Sequence, residues 1–267
     1  DGDLFGILRL LFGHRDLLEM VALRVDGRTW VHQSTLAWDR LATPTPKAAG
    51  PHLSLTCHQP WVTWHAHFDH EVAAVDDPAV RRALSLDLTF EATIEPARYS
   101  YGPYHQAEQE GRLTGRVRLG TEMWEGEFIC YRDHSWGQRP MRVSKGWVII
   151  TIPEKLYAAV VYMEGSNFYM GRVVSPTGDF APVRELTLRD TSEGWALHVP
   201  ALGPGTWTLA WLSSPITSYL GPAGHETVRD QAAPGDLLHD QIGPARYTSP
   251  DGDRIIGFLE YARETQS

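Results

Sequence analysis

The feature that most constrains this chain is a succession of short segments rich in β-branched and aromatic residues, several alternating with period two and cut at regular intervals by turn residues. In the first half these are Trp30–Leu36, Leu53–His58, Trp61–Phe68, Leu84–Ile94, Arg112–Leu119 and Glu122–Tyr131. The second half repeats the habit in Gly146–Ile152, Tyr157–Met163, Phe168–Val174, Arg184–Arg189, Trp195–Val199, Thr206–Leu212 and Arg254–Tyr261. Alternation of this kind places successive side chains on opposite faces of a sheet. Runs such as Ser175-Pro176-Thr177-Gly178-Asp179 and Ser249-Pro250-Asp251-Gly252-Asp253 supply the turns. Helical patterning is scarce, with Asp77–Leu84 the best short candidate. The expectation is an all-β chain of sandwiches or up-and-down barrels with little helix.

With 267 residues, 42% of them apolar, the chain is longer than one eight-stranded barrel needs and buries two modest cores. The join is expected in the Gly- and Arg-rich stretch Asp133–Gly146, which carries Pro140, so that one β domain spans residues 1–140 and another 141–267. Thr43–Pro51 reads as a surface loop and His225–Asp240 as an irregular or partly helical excursion. No short internal repeat is visible, which argues against propellers and solenoids.

A formal charge of -9 opposes attraction to phosphate backbones and anionic membrane surfaces, so no nucleic-acid partner is expected. No apolar run approaches the roughly 20 residues of a membrane-spanning helix. Cys57 and Cys130 are too few for a disulfide framework and form no CxxC pair, so both are expected to be reduced. The chain opens with Asp1 and shows no signal-peptide pattern; a cytoplasmic location is the default expectation.

The densest chemistry lies in Tyr131-Arg132-Asp133-His134-Ser135-Trp136-Gly137-Gln138-Arg139, at the end of a strand. If strand geometry persists, Arg132 and His134 face one side while Asp133 and Ser135 face the other, unless the chain bulges at Gly137. The bland alternative is a surface ion-pair cluster in which Asp133 anchors Arg132 or Arg139.

Together with Tyr104-His105-Gln106-Ala107 and Gly111-Arg112-Leu113-Thr114-Gly115, this run resembles the AttH-like and hydroxyneurosporene synthase (carotenoid 1,2-hydratase) superfamily. The resemblance implies two consecutive lipocalin-like antiparallel β-barrels, with the Asp-His-x-Trp-Gly motif near their junction. Its members include carotenoid hydratases, kievitone hydratase and decalin-forming Diels-Alderases, which act on large apolar polyene or prenylated molecules. Carried over, the pattern gives weight to Asp133, His134 and Trp136 and to a downstream Tyr-x-Asp, here Tyr162-Met163-Glu164. Glutamate in place of aspartate lengthens that arm by one methylene, so the same substrate and reaction do not transfer automatically.

The chemistry is coherent without the family. Adding water to an alkene, removing it, or cyclising a polyene needs a proton donor in a dry pocket, and burial keeps a carboxyl protonated. Asp133 is the expected acid, His134 its relay, and Tyr162 with Glu164 a second donor or base. Trp136 and Tyr131 offer π faces to a carbocation. Arg132 and Arg139 tune charge, and no metal or organic cofactor is called for. Trp64, His65 and His67 are expected to line the mouth of the first barrel; His65 and His67 share a strand face, a spacing that also suits a metal, with His58 and His70 nearby. Tyr104, with Tyr99, Tyr101 and His105, lies on a segment that turns at Gly102-Pro103 and could orient a substrate oxygen. No GxSxG elbow, phosphate loop, dinucleotide fingerprint or HExxH motif occurs.

The function expected is a cofactor-independent hydratase, isomerase or cyclase acting on a terpenoid-, polyketide- or steroid-like molecule. Its partner is a hydrophobic small molecule, and a homodimer is allowed. The rivals are a non-catalytic lipophile carrier and a carbohydrate-binding or glycoside-cleaving protein using Asp133 and Glu164.

Overall fold

The computed structural model describes residues 4–12, 16–37, 47–137, 144–163, 166–174, 180–220, 226–229, 231–233 and 236–265. The fold is all-β: two strongly curved antiparallel sheets of half-barrel shape, with one turn of 3-10 helix, Pro200–Leu202, among the described residues. No helix among them is long and apolar enough to cross a membrane.

The first sheet takes β1 (Phe5–Phe12), β2 (Asp16–Val25), β3 (Arg28–Ala37), β4 (Lys47–Ala49), β5 (Leu53–Gln59), β6 (Thr63–Ala74), β7 (Arg81–Ala92), β8 (Ala97–Tyr101), β9 (Tyr104–Leu119) and β10 (Glu122–Gly137). Its order is β1-β2-β3-β6-β7-β9-β10, with β4 and β5 paired beside β6 and β8 beside β9. The second takes β11 (Ser144–Ile152), β12 (Leu156–Met163), β13 (Ser166–Val174), β14 (Phe180–Pro182), β15 (Thr187–Thr191), β16 (Gly194–His198), β17 (Trp207–Trp211), β18 (Ile216–Leu220), β19 (Glu226–Val228), β20 (Leu238–Thr248) and β21 (Arg254–Glu264). Its order is β14-β13-β12-β11-β21-β20-β17-β16-β15, with β18 joining β19 to β20.

By proximity the chain divides into two compact units. Unit 1 is Asp1–Pro96 with Ala107–His134; unit 2 is Ala97–Gln106 with Ser135–Ser267. In unit 1 the even residues of β6 and β7 (Ala66, Phe68, Leu84, Leu86, Leu88) and Val117 and Leu119 of β9 pack with Val21, Leu23 and Trp30. Burying each large apolar side chain is worth about 1.5–3 kcal/mol. In unit 2 Val148, Ile150 and Ile152 of β11 meet Ala158 and Val160 of β12 and Leu259 of β21, around the fully buried ring of Tyr247. Tyr247 Oη donates to the Phe258 carbonyl at 2.6 Å. Burial holds its phenol protonated far above the ordinary range.

Three expectations change. Asp77–Leu84 is a turn leading into β7, because the Leu84, Leu86, Leu88, Phe90 alternation claims it for the sheet. Within Thr43–Pro51, residues 47–49 form β4, paired with Ser54–Thr56. Within His225–Asp240, 226–228 form β19, and β20 begins at Leu238. The Tyr99–His105 segment turns at Gly102-Pro103 as expected, and Gly102 takes φ 55°, the left-handed region that favours glycine.

Candidate functional site

Strand geometry persists through the motif, since β10 runs to Gly137. Period two then sorts it by parity. Trp124 and Phe128 pack against the unit 1 core, which places Cys130, Arg132 and His134 on that same face and Asp133 on the other. Asp133 is exposed. The expected inward-pointing carboxyl is therefore replaced, on the core side of the strand, by a guanidinium and an imidazole.

Arg132 is held by aromatic faces. Its guanidinium carbon lies 4.3 Å from the Trp64 ring centroid and 5.2 Å from that of Trp61, contacts worth about 0.5–2 kcal/mol each. It also makes a long 3.5 Å contact to Gln109 Oε1. Loss of hydration lowers its pKa, opposed by nearby Cys57, Asp133 and Cys130. The Cys130 thiol is pushed up to about 12 by the same desolvation, and both cysteines are free thiols.

Trp61 was not singled out by the sequence, yet it organises this group. It sits in the turn between β5 and β6 at φ 60°, a left-handed conformation that costs a bulky residue roughly 1–3 kcal/mol. Buried Gln109 pays that strain back: its amide donates to the Trp61 carbonyl at 2.7 Å and to the Ile94 carbonyl at 2.8 Å. The indole so placed meets the His134 ring edge-to-face, centroids 6.1 Å apart. His134 is exposed, as Asp133 is, but the side that packs on Trp61 is desolvated and Arg132 lies close. Both effects lower its pKa below the usual imidazole value, and the Asp133 charge partly restores it. The only signal in sequence was a Trp beside Pro60, which says nothing of backbone strain.

The remaining candidates fall elsewhere. Trp64 is on the core face of β6, with its indole nitrogen buried and lacking a hydrogen-bond partner among the described residues. His65 and His67 point to the opposite face, away from Trp64 rather than sharing a wall with it. His65 bonds Asp87 at 2.8 Å, and His67 is exposed. Tyr131 is half-buried with its hydroxyl enclosed. In unit 2, Trp136 is 46% exposed and stacks on His105 at 5.4 Å, and Tyr104 donates to Gln106 Oε1 at 2.9 Å. Tyr162 packs against the unit 2 core, where burial and the neighbouring Tyr261 and Tyr169 raise its pKa. Arg139 and Glu164 lie outside the described residues.

A second polar group, also missed, lies on the core face of unit 1. Glu19 is 0% exposed, accepts from the backbone amides of His52 at 3.1 Å and Leu53 at 2.8 Å, and meets His32 Nε2 at 2.9 Å. His52 and His70 stack in parallel at 3.7 Å. Burial, outweighing the pull of Glu19, lowers the His32 pKa.

The model of a family described as a domain of unknown function, DUF7064, matches residues 21–265. The chain belongs to this family. No curated protein matches at a significant level. Among solved structures, this DUF7064 protein is similar to kievitone hydratase from Nectria haematococca, with a TM-score of 0.64 at 11% identity, covering 99% of this chain and 85% of that one. The likeness is one of fold, and it agrees with the all-β architecture of two curved antiparallel sheets that the resemblance implied.

Proposed function

We propose that this DUF7064 protein is a hydro-lyase or isomerase that moves protons on a hydrophobic small molecule, with His134 as the acid–base group and Arg132 as the cation facing the substrate's oxygen. The observation that supports it is the ring of His134, packed edge-to-face on Trp61 beside Arg132, where desolvation and the neighbouring cation favour the neutral imidazole. A neutral imidazole next to a fixed cation suits proton abstraction beside an oxygen-bearing carbon. His134 takes the C–H proton, the electron pair shifts toward the oxygen opposite Arg132, and the proton returns to another carbon or to a departing hydroxyl. The first outcome is isomerisation, the second loss of water, and hydration is its reverse. Asp133 acts through charge, raising the proton affinity of its neighbour.

The shared fold with a protein named as a hydratase, and the aromatic faces of Trp61 and Trp64, support a terpenoid-, polyketide- or steroid-like substrate. The exposure of Asp133 favours a second reading, a lipophile carrier that performs no chemistry. Incubation in D2O with a panel of prenylated phenols, sterol enones and linear polyene terpenoids separates them. Deuterium uptake or a gain of water in the mass spectrum is expected for at least one, falling about 10²- to 10⁴-fold in His134→Gln. Binding by tryptophan quenching with no change of mass across the panel, or full turnover by His134→Gln, overturns the catalytic reading.

A further inference from the structure

We infer that Glu19, His32 and His52 form a site for a zinc-class divalent cation inside unit 1, separate from the group around Arg132. One carboxylate oxygen and two imidazole nitrogens lie within 4.8 Å of one another. This His2Glu donor set suits zinc, cobalt or nickel rather than calcium or magnesium, which prefer oxygen alone.

The site is built by the sheet's own irregularity. β3 pairs with β6 at Trp30↔Ala74 and Val31↔Ala73, while the earlier part of β6 pairs with β5 from Leu53↔Phe68. The Glu19 side chain enters beside this change of partners, where the His52 and Leu53 amides both donate to its Oε2. Oε1 is left to face the imidazoles. Among the described residues no lysine or arginine reaches this fully buried carboxyl group, whose partners are two backbone amides and His32.

The cradle around the carboxylate is specific. A Cβ on Gly50 would lie 1.9 Å from Glu19 Oε2, so any other residue there displaces the carboxyl group. The 2.9 Å contact between Oε1 and His32 Nε2 lies near the roughly 3.3 Å ligand separation that metal bonds of about 2.0–2.1 Å impose in a tetrahedron. A cation takes the place of the proton in that contact, and the neutral imidazole, bound through Nε2, then carries its one proton on Nδ1. His52 swings toward it by side-chain rotation, and the stacked His70 ring limits that rotation. His70 is thus a positioning residue, and the fourth ligand is water. The ion would tie β2, β3 and the turn into β5 together.

The test is isothermal titration of chelator-treated full-length protein with ZnCl2, using MgCl2 as the control ion, together with the visible absorption of the CoCl2 complex. One zinc per chain, no magnesium, and the intense cobalt bands of a four-coordinate complex are expected. Glu19→Gln and His52→Ala should each weaken zinc by more than about 100-fold, beyond what the loss of an outer partner costs. His70→Ala should weaken it by less. His65→Ala with His67→Ala, on the other face of β6, should leave stoichiometry and affinity unchanged. His52 is only half-buried whereas Glu19 is fully buried, so His52→Ala carries the test if Glu19→Gln fails to fold. No zinc bound by the wild-type protein, or unchanged zinc affinity in a folded His52→Ala, overturns the inference.

Discussion

The core faces of the two units are built on opposite plans. In unit 2 the face that carries Val148, Ile150, Leu259 and Tyr247 is apolar and aromatic, with Trp195 against Trp211 and Tyr261 at 5.8 and 5.9 Å. Its buried carboxylates, Asp240 and Glu260, have the other parity on β20 and β21 and lie on the reverse face. In unit 1 the core face itself carries Glu19, His32, His70, Gln109, Arg132 and His134 among its leucines. An apolar core tolerates any residue of the right shape, whereas a polar group in a core demands a partner. Unit 1 therefore depends on specific polar partners within its core face in a way that unit 2 does not.

The largest expected effect that would break this contrast is in unit 1. Glu19→Ala strips the partner from the buried Leu53 amide, the half-buried His52 amide and His32, and should cost about 3 kcal/mol or more. Tyr247→Phe in unit 2, which loses one hydroxyl bond, should cost only about 1 kcal/mol. Urea unfolding followed by circular dichroism measures both, and equal costs would erase the distinction.

The next effect is one of pH. The folded-state pKa of His134 lies below its unfolded value near 6.5, so the unfolded chain takes up the proton first. Its contribution is intact above that value and is lost as pH falls toward the folded pKa. Arg132→Met removes the neighbouring cation and should raise the His134 pKa. The loss of urea midpoint between pH 7.5 and 5.5 should then shrink, and an NMR titration of the imidazole should move to higher pH. An unmoved titration would show that Arg132 does not reach the ring. The smallest effect belongs to the outer face of β6: His65→Ala breaks an exposed contact to Asp87 and a loose ring contact to His58, and should change stability by no more than about 0.5 kcal/mol, read from the same urea curves.

Much of this was legible in the chain. Alternation identified most of the long strands, though not β2 or β20, and parity alone separates Arg132 and His134 from Asp133 once the strand is known to continue to Gly137. The same parity, applied to β6, sets His70 with Phe68 and apart from His65 and His67, which the sequence pattern had grouped with it. The backbone strain at Trp61 left no trace in composition. Nor did the Glu19 cluster, whose members stand 13 and 33 residues from the glutamate.

What the amino-acid sequence settled alone was local: which residues extend, which turn, and which share a face, because the period of a strand is intrinsic to its backbone. Which faces meet was left to the sheet order. β6 takes β5 along one stretch and β3 along the next, and that change of partner brings Glu19, His32 and His52 together. Pairing between distant strands is chosen by the packing of the whole core, so no local window of sequence contains it.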